Sequence, residues 1–287
     1  MQIRTTIAAG AAALWLAAAG AADAATIVLS NNTAPGDAFT NATGTNQGQA
    51  VGATGWYYNN VRNSGAVGIS TQLPRNGNGS AFFSSPSGAA KADIEFLPNA
   101  VNVLGNFFSG ASLGAFSALS SFGYEWYRVG TSTNPAVQHP ALRVLLDLDG
   151  DPLTPLDRAG LVFERAYNGW PVSVPTDTWE ADTISASTNL WSFGALGFAT
   201  GGYNVTLADW QANPLLANAV VVGFSAGVGS GWVGDFTGAV DSITWTIANQ
   251  TSTYNFEVAG ATTVPEPASL ALLGLALAGL AAARRRA

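Results

Sequence analysis

The chain has 287 residues, no cysteine, one histidine and a formal net charge of −7. Without cysteine it can form no disulfide, iron–sulfur cluster or cysteine-ligated zinc site, and one histidine cannot build a multi-histidine metal centre. Residues 25–263 hold seven basic and sixteen acidic side chains, a net charge of −9. Because nucleic-acid binding needs positive charge against phosphate, we expect no nucleic-acid partner, whereas a neutral glycan remains compatible.

The N-terminus predicts a signal peptide over residues 1–24. Its features are a positive start, an apolar run and a small-x-small cleavage pattern, carried by Arg4, residues 7–20, Ala22, Ala24 and Ala25. A first transmembrane helix is the alternative, but the run is short and ends in a cleavage pattern. We therefore expect residues 25–263 to be exported across the inner membrane.

Short runs of β-forming residues, separated by Gly, Pro, Asn and Ser, follow the N-terminus. They predict strands at residues 26–30, 55–58, 68–73, 80–83, 92–96, 124–129, 142–148, 161–165, 190–193, 219–224, 240–247 and 254–258. The polar stretch Asn31–Gly55 predicts a long loop, and Thr206 predicts the cap of a short helix, Leu207–Ala212. Many strands with almost no helix favour one all-β domain, an antiparallel two-sheet sandwich of the jelly-roll or lectin-like kind.

Three alternating acids, Asp147, Asp149 and Asp151, form a candidate metal site, because alternate carboxylates can converge on one cation. Calcium is the candidate ion for such a site. The run is not an EF-hand loop, which would need Gly where Pro152 stands and Glu where Arg158 stands. The favoured interpretation is a solvated hairpin tip, in which water screens the repulsion between the carboxylates.

A G-x-S-x-G pattern at residues 223–227 is of the type found in nucleophile elbows. An elbow leads into a helix, but residues 228–234 are glycine-rich and poor helix formers. In that class of hydrolase the histidine follows the serine, whereas His139 precedes it here. The pattern therefore predicts a glycine-rich strand and loop and not an esterase.

Glycoside hydrolysis needs two acids about 5 to 9.5 Å apart across a cleft. Glu125, Glu164 and Glu180 lie on or beside predicted strands, and Glu180 with Asp182 forms half of an E-x-D-x-x-E run. Trp179, next to this pair, could stack on a sugar while Asp182 accepts its hydroxyls. We predict a non-enzymatic body in which Trp179 and Asp182 bind ligand, with a glycan-active hydrolase as the alternative.

The run at residues 229–245 is the most distinctive in the body. Its ending, G-x-F-x-G-x-V-D-x-I from Gly234 to Ile243, is similar to the last strands of concanavalin-like and laminin-G-like sandwiches. The resemblance implies glycan or ligand recognition by loops at one rim, often with calcium. Trp232 and Asp235 are the candidates for that rim, since aromatic rings stack on sugars. Plugging the end of the sandwich is the alternative role of Trp232.

The C-terminus, residues 264–287, combines three features. Val264-Pro265-Glu266-Pro267 predicts a stiff, extended hinge, because each proline lacks an N–H donor and has a fixed φ. The apolar run at residues 268–283 predicts a transmembrane helix about 24 Å long, against roughly 30 Å of hydrocarbon. The basic run Arg284-Arg285-Arg286 places the terminus on the cytoplasmic side.

These features resemble the PEP-CTERM sorting signal of Gram-negative bacteria, in which such a motif, a hydrophobic helix and a basic terminus follow one another. The resemblance implies recognition by a membrane-embedded exosortase and processing near the motif. It also implies a precursor anchored in the inner membrane and delivery to the cell surface or exopolymer matrix, where a neutral glycan or exopolysaccharide is the expected partner. A plain tail anchor is the alternative.

Overall fold

The computed structural model describes residues 24–154, 156–169, 173–229 and 231–260. The predicted signal peptide up to residue 23 and the predicted sorting signal at 264–287, with its transmembrane helix at 268–283, lie outside these ranges. Within them, no helix has the length and apolar character that crossing a membrane requires. Strands account for 50% of the structure and helices for 6%, which confirms the all-β class.

The described residues form nineteen strands and one α-helix. The strands are β1 (Thr26–Thr33), β2 (Phe39–Asn41), β3 (Gln47–Ala50), β4 (Trp56–Arg62), β5 (Gly65–Ser70), β6 (Ser80–Ser85), β7 (Lys91–Phe96), β8 (Val101–Val103), β9 (Asn106–Phe108), β10 (Gly114–Ala115), β11 (Leu119–Arg128), β12 (Ala141–Asp147), β13 (Arg158–Phe163), β14 (Trp179–Ile184), β15 (Asn189–Gly194), β16 (Val205–Thr206), β17 (Val220–Val228), β18 (Phe236–Ile247) and β19 (Gln250–Ala259). The helix is α1 (Leu207–Ala212), and short 3-10 turns span Phe116–Ala118, Arg165–Tyr167 and Pro214–Leu216.

The eight-stranded sheet has the order β1-β19-β18-β6-β5-β2, and β11 pairs with β18 and with β14. The long strand β18 pairs with β6 through Phe236–Val240 and with β19 through Ile243–Ile247. The pair β1–β19 is parallel. The prediction of an antiparallel sandwich is wrong for this pair, because its strands come from opposite ends of the body and no hairpin sets their direction.

The nine-stranded sheet has the order β16-β15-β13-β12-β17-β7-β4-β3, with β10 beside β17, and β8 and β9 form a separate hairpin. Aromatic side chains join the two large sheets face to face. Phe224 of β17 stacks on Trp245 of β18 with ring centroids 4.4 Å apart, and Trp56 of β4 meets Phe256 of β19 edge to face at 4.9 Å. The body is therefore a β-sandwich whose core lies between these sheets.

Alternation along the nine-stranded sheet places polar side chains on its outer face. On β7, Ala92 and Ile94 belong to the core, so Asp93 and Glu95 point the other way. On β12, Leu142 and Val144 belong to the core, so Arg143 between them points to the opposite face. The outer face of this sheet therefore carries charged groups on neighbouring strands.

Two local predictions have opposite outcomes. The helix prediction is confirmed, because Asp209 N–H donates to Thr206 Oγ1 at 3.1 Å and the Asp209 carboxylate accepts in return from Thr206. The prediction of a long loop at Asn31–Gly55 is wrong, because this segment contains the strands β2 and β3. They pair with β5 and β4, respectively. Both short strands lie at sheet edges, where polar sequences are accommodated and the apolar alternation of inner strands is not needed.

Candidate functional site

A cavity of about 390 Å³, which we call the outer groove, opens on the outer face of the nine-stranded sheet. Six strands of the sheet and the β8–β9 hairpin line it. The residues that line it include Asn59, Asn60, Lys91, Asp93, Glu95, Phe107, Arg143, Arg158, Val162, Trp191, Phe193 and Phe198.

The floor of the outer groove is a buried network of paired charges. Arg143 Nη1 donates to Asp93 Oδ1 at 2.9 Å and to Ser225 Oγ at 3.2 Å. Lys91 Nζ lies 3.2 Å from the other Asp93 oxygen. Asp93 has no exposed surface and Glu95 is 4% exposed. Each charge of Asp93 and Arg143 thus has an opposite partner, which buried ions require.

Two consecutive asparagines hold Glu95. Asn59 Nδ2 donates to Glu95 Oε2 at 2.7 Å, and Asn60 Nδ2 donates to Glu95 Oε1 at 2.9 Å and to Asp93 Oδ2 at 3.1 Å. Neighbouring residues of a regular strand point to opposite faces, but the β4–β7 register shifts between Asn59 and Arg62, and Asn60 has a φ of 53°. This bulge turns both amides towards the same face.

The environment of Glu95 raises the pKa of its carboxyl group. Burial raises the pKa of Glu95, and the nearby charge of Asp93 raises it further, while the hydrogen bond from Asn59 acts in the opposite direction. Glu95 therefore holds a proton more readily than an exposed glutamate does.

Aromatic side chains form the two walls. On β15 and the following loop, Trp191 is half-buried and Phe198 is 73% exposed, with ring centroids 5.2 Å apart. Trp191 Nε1 donates to Glu164 Oε2 at 3.3 Å, which fixes the orientation of the indole. On the opposite side, Phe107 of the β8–β9 hairpin packs on Tyr57 with centroids 4.4 Å apart.

The hairpin wall is attached to the floor by the same asparagines. Phe107 N–H donates to Asn59 Oδ1 at 3.0 Å, and Asn59 Nδ2 donates back to the Phe107 carbonyl at 2.9 Å. Asn60 N–H donates to Asn106 Oδ1 at 3.0 Å. Asn59 and Asn60 therefore set the position of one wall relative to Glu95.

The predicted ligand residues Trp179 and Asp182 lie on β14, in the other large sheet. Trp179 packs edge to face on Tyr127 at 5.6 Å, and the Arg75 guanidinium lies 5.7 Å from its ring centroid. Asp182 is buried and accepts hydrogen bonds from Trp126 Nε1 at 2.7 Å and Arg165 Nε at 2.8 Å. Their assignment to a ligand stays a prediction, although Asp182 has little surface to offer.

The predicted rim residues Trp232 and Asp235 lie in the loop before β18. Trp232 is 6% exposed and packs edge to face on Phe236 at 5.2 Å. Asp235 is exposed, and its N–H donates to Thr133 Oγ1 at 2.8 Å. Neither residue lines the outer groove, so these two also remain predictions.

The predicted metal residues are partly brought together. Asp147 and Asp149 group with Asp157, and one ligand oxygen from each lies within 4.8 Å of the others. Asp151 is outside this group; it is exposed, and its carboxylate accepts the N–H of Leu153 at 3.1 Å. The third acid of the group is therefore Asp157 and not the predicted Asp151.

Sequence reasoning missed the residues of the outer groove. The alternation at residues 92–96 predicts a strand with one polar face in water, whereas Asp93 and Glu95 are buried. The signal that could have found them is Arg143, a cation with apolar residues on both sides in the middle of β12. A buried arginine needs a carboxylate partner on a neighbouring strand.

Comparison with known proteins concerns the end of the chain. Residues 263–286 match the model of the PEP-CTERM protein-sorting motif, which confirms the predicted motif at Val264-Pro265-Glu266-Pro267. No curated protein matches the chain. The PEP-CTERM motif implies export, recognition by exosortase and a membrane-anchored sorting signal that exosortase processes.

Proposed function

We propose that the body of this exported protein is a non-enzymatic module that binds a neutral glycan in the outer groove. One observation carries the proposal: aromatic walls and a charge-paired polar floor enclose the same cavity of about 390 Å³. Sugars present apolar C–H faces to aromatic rings and hydroxyls to polar groups, so such a site suits them.

The charges of the floor favour a neutral ligand over an ionic one. Asp93 is already paired with Arg143 and Lys91, and burial and Asp93 together raise the pKa of Glu95. An ionic ligand would have to displace one of these pairs, which costs several kcal/mol at a buried site. A hydroxyl can instead add hydrogen bonds to carboxylate oxygens without changing the charge.

We also propose the setting in which this binding occurs. The signal peptide at residues 1–24 and the helix at residues 268–283 would hold a precursor in the inner membrane of a Gram-negative bacterium. Processing near Glu266 would deliver residues 25–263 to the cell surface or exopolymer matrix. An exopolysaccharide there would be the ligand. The likeness of residues 234–243 to concanavalin-like and laminin-G-like sandwiches supports a glycan-binding body of that kind.

A glycan array probed with the full chain in mild detergent tests the proposal. Trp191→Ala should weaken binding about tenfold, because losing one stacking contact costs about 1 to 2 kcal/mol. Trp179→Ala removes a partly exposed tryptophan from the other sheet and distinguishes the two candidate sites. It should bind as the unchanged protein does if the glycan lies in the outer groove, and should lose affinity if the glycan lies on β14. The proposal fails if no neutral glycan binds, or if Trp191→Ala binds as tightly as the unchanged protein.

A second candidate function, glycoside hydrolysis, is favoured by one geometric observation. Asn60 Nδ2 contacts an oxygen of Asp93 at 3.1 Å and one of Glu95 at 2.9 Å, so these two oxygens are no more than 6.0 Å apart. Retaining hydrolases hold their two carboxyl groups about 5 to 5.5 Å apart, and the raised pKa of Glu95 suits a general acid. The close pairing of Asp93 with Arg143 argues against a free nucleophile.

Turnover distinguishes the two candidates. Release of reducing ends from the bound glycan, abolished in Glu95→Gln, would favour hydrolysis. Tight binding without any product over a long incubation would favour the binding module.

A further inference from the structure

The connection between β12 and β13 brings three carboxylates together. Asp147 ends β12, Asp157 immediately precedes β13, and Asp149 lies between them in the connection. The pairing of Asp147 with Arg158 across the two strands places Asp157 beside Asp147. One oxygen from each of the three acids lies within 4.8 Å of the others.

A second observation points to a ligand at this cluster. Asp147 has no exposed surface, and its Oδ2 atom accepts no hydrogen bond among the described residues. Its Oδ1 atom accepts the N–H of Gly150 at 2.9 Å. The nearest cation is the Nε atom of Arg158 at 3.5 Å, which makes no hydrogen bond either. A buried carboxylate oxygen without a hydrogen bond is costly, and a bound cation would remove that cost.

Other oxygens complete the surroundings. Thr154 Oγ1 lies 3.2 Å from Asp149 Oδ2 and 3.4 Å from Asp157 Oδ1, so a hydroxyl stands among the carboxylates. The described side chains of the cluster therefore offer oxygen ligands only. Oxygen ligands select hard divalent cations, and an irregular loop of this kind suits the larger and less demanding Ca²⁺ better than Mg²⁺.

We propose that Asp147, Asp149 and Asp157, together with Thr154, bind one Ca²⁺ ion in the β12–β13 connection. The site includes Asp157 and excludes Asp151, whose carboxylate only accepts a hydrogen bond from its own loop. This inference goes beyond the proposed glycan binding. A direct measurement of calcium binding keeps the two independent.

Calorimetric titration of the full chain in mild detergent, with CaCl₂ and separately with MgCl₂, tests the site. We expect one Ca²⁺ per chain with a Kd on the order of 10⁻⁴ to 10⁻³ M, as in extracellular modules, and weaker binding of Mg²⁺. Asp149→Asn should weaken Ca²⁺ binding about tenfold, because one charged ligand is lost. This substitution is not expected to disturb the loop, since the new amide oxygen can still accept the N–H of Asp151, as Asp149 Oδ1 does now.

Asp151→Asn is the matched control, because it removes the same charge from the same loop outside the cluster. Its Kd should stay within about twofold of that of the unchanged protein, as expected for a carboxylate that does not ligate. The inference is overturned if the unchanged protein binds no Ca²⁺ up to about 10 mM, well above the expected Kd. It is also overturned if Asp151→Asn weakens binding as much as Asp149→Asn, since the loop would then attract cations only by its overall charge.

Discussion

Replacing Asp241 by asparagine is expected to stabilise the protein at neutral pH. Asp241 lies in β18 with no exposed surface, and its Oδ1 atom accepts the N–H of Phe256 at 2.9 Å. Its Oδ2 atom has no hydrogen-bond partner among the described residues. Burial raises the pKa of Asp241 to about 8, against the backbone hydrogen bonds of Phe256 and Ser242, which lower it.

The sign of the effect follows from the two pKa values. The folded protein keeps a proton on Asp241 that the unfolded chain releases above its ordinary pKa of 3.8, so stability falls as pH rises between 3.8 and about 8. The cost is about 2 kcal/mol at pH 5 and about 5 kcal/mol at pH 8. Asparagine titrates no proton, and its amide oxygen can still accept from Phe256. Asp241→Asn should therefore gain roughly these amounts.

Urea unfolding of the full chain in mild detergent, followed by tryptophan fluorescence at pH 5 and pH 8, measures the gain. Asp235→Asn is the control, since it removes the same charge at an exposed position just before β18 and should change stability by less than about 0.5 kcal/mol. The reasoning is refuted if Asp241→Asn and the unchanged protein lose stability equally between the two pH values. It is also refuted if the variant is the less stable of the two at pH 8.

Three further predictions concern the groove, the helix and the sorting signal. Arg143→Met should destabilise the protein by about 3 kcal/mol in urea unfolding, because buried Asp93 loses one of its two cations. Adding Asp93→Asn to this variant should recover part of the loss. If the free-energy changes of the two substitutions simply add up, the pairing is contradicted. Thr206→Ala should cost about 1 kcal/mol in the same assay, because it removes the cap of α1, and an unchanged stability would show that the capping box contributes nothing. Glu266→Ala should leave unprocessed precursor in the inner membrane, measured by immunoblotting of fractionated cells, and normal processing would contradict the role given to the motif.

Local sequence is sufficient to predict a structural feature when that feature is formed by residues close together in the chain. The capping box of α1 joins Thr206 and Asp209, only three positions apart, so the side chains that begin the helix can be recognised without any tertiary contact. The β12–β13 hairpin is predictable for the same reason, since two apolar runs flank a connection rich in Asp, Gly and Pro. The PEP-CTERM motif is also contiguous, and its residues alone identify it.

The candidate metal cluster is only partly predictable. Alternation suggests that Asp147, Asp149 and Asp151 point the same way, as in a strand. The chain leaves the strand after Asp147, however, and the return of the hairpin places Asp157 beside it. Spacing along the sequence cannot show which acid returns to the group, because that depends on the path of the connection.

Export, the all-β class and sorting through the C-terminus can all be read from the amino-acid sequence, because charge, hydropathy and a contiguous motif are local properties. The place where a ligand could bind depends instead on how the strands assemble. Four strands spread over more than a hundred residues contribute Asn59, Glu95, Arg143 and Trp191. The sequence of each strand, taken alone, resembles that of an ordinary half-buried strand. The four residues meet because backbone pairing sets the order and register of β4, β7, β17, β12, β13 and β15, and that order is a property of the whole sheet.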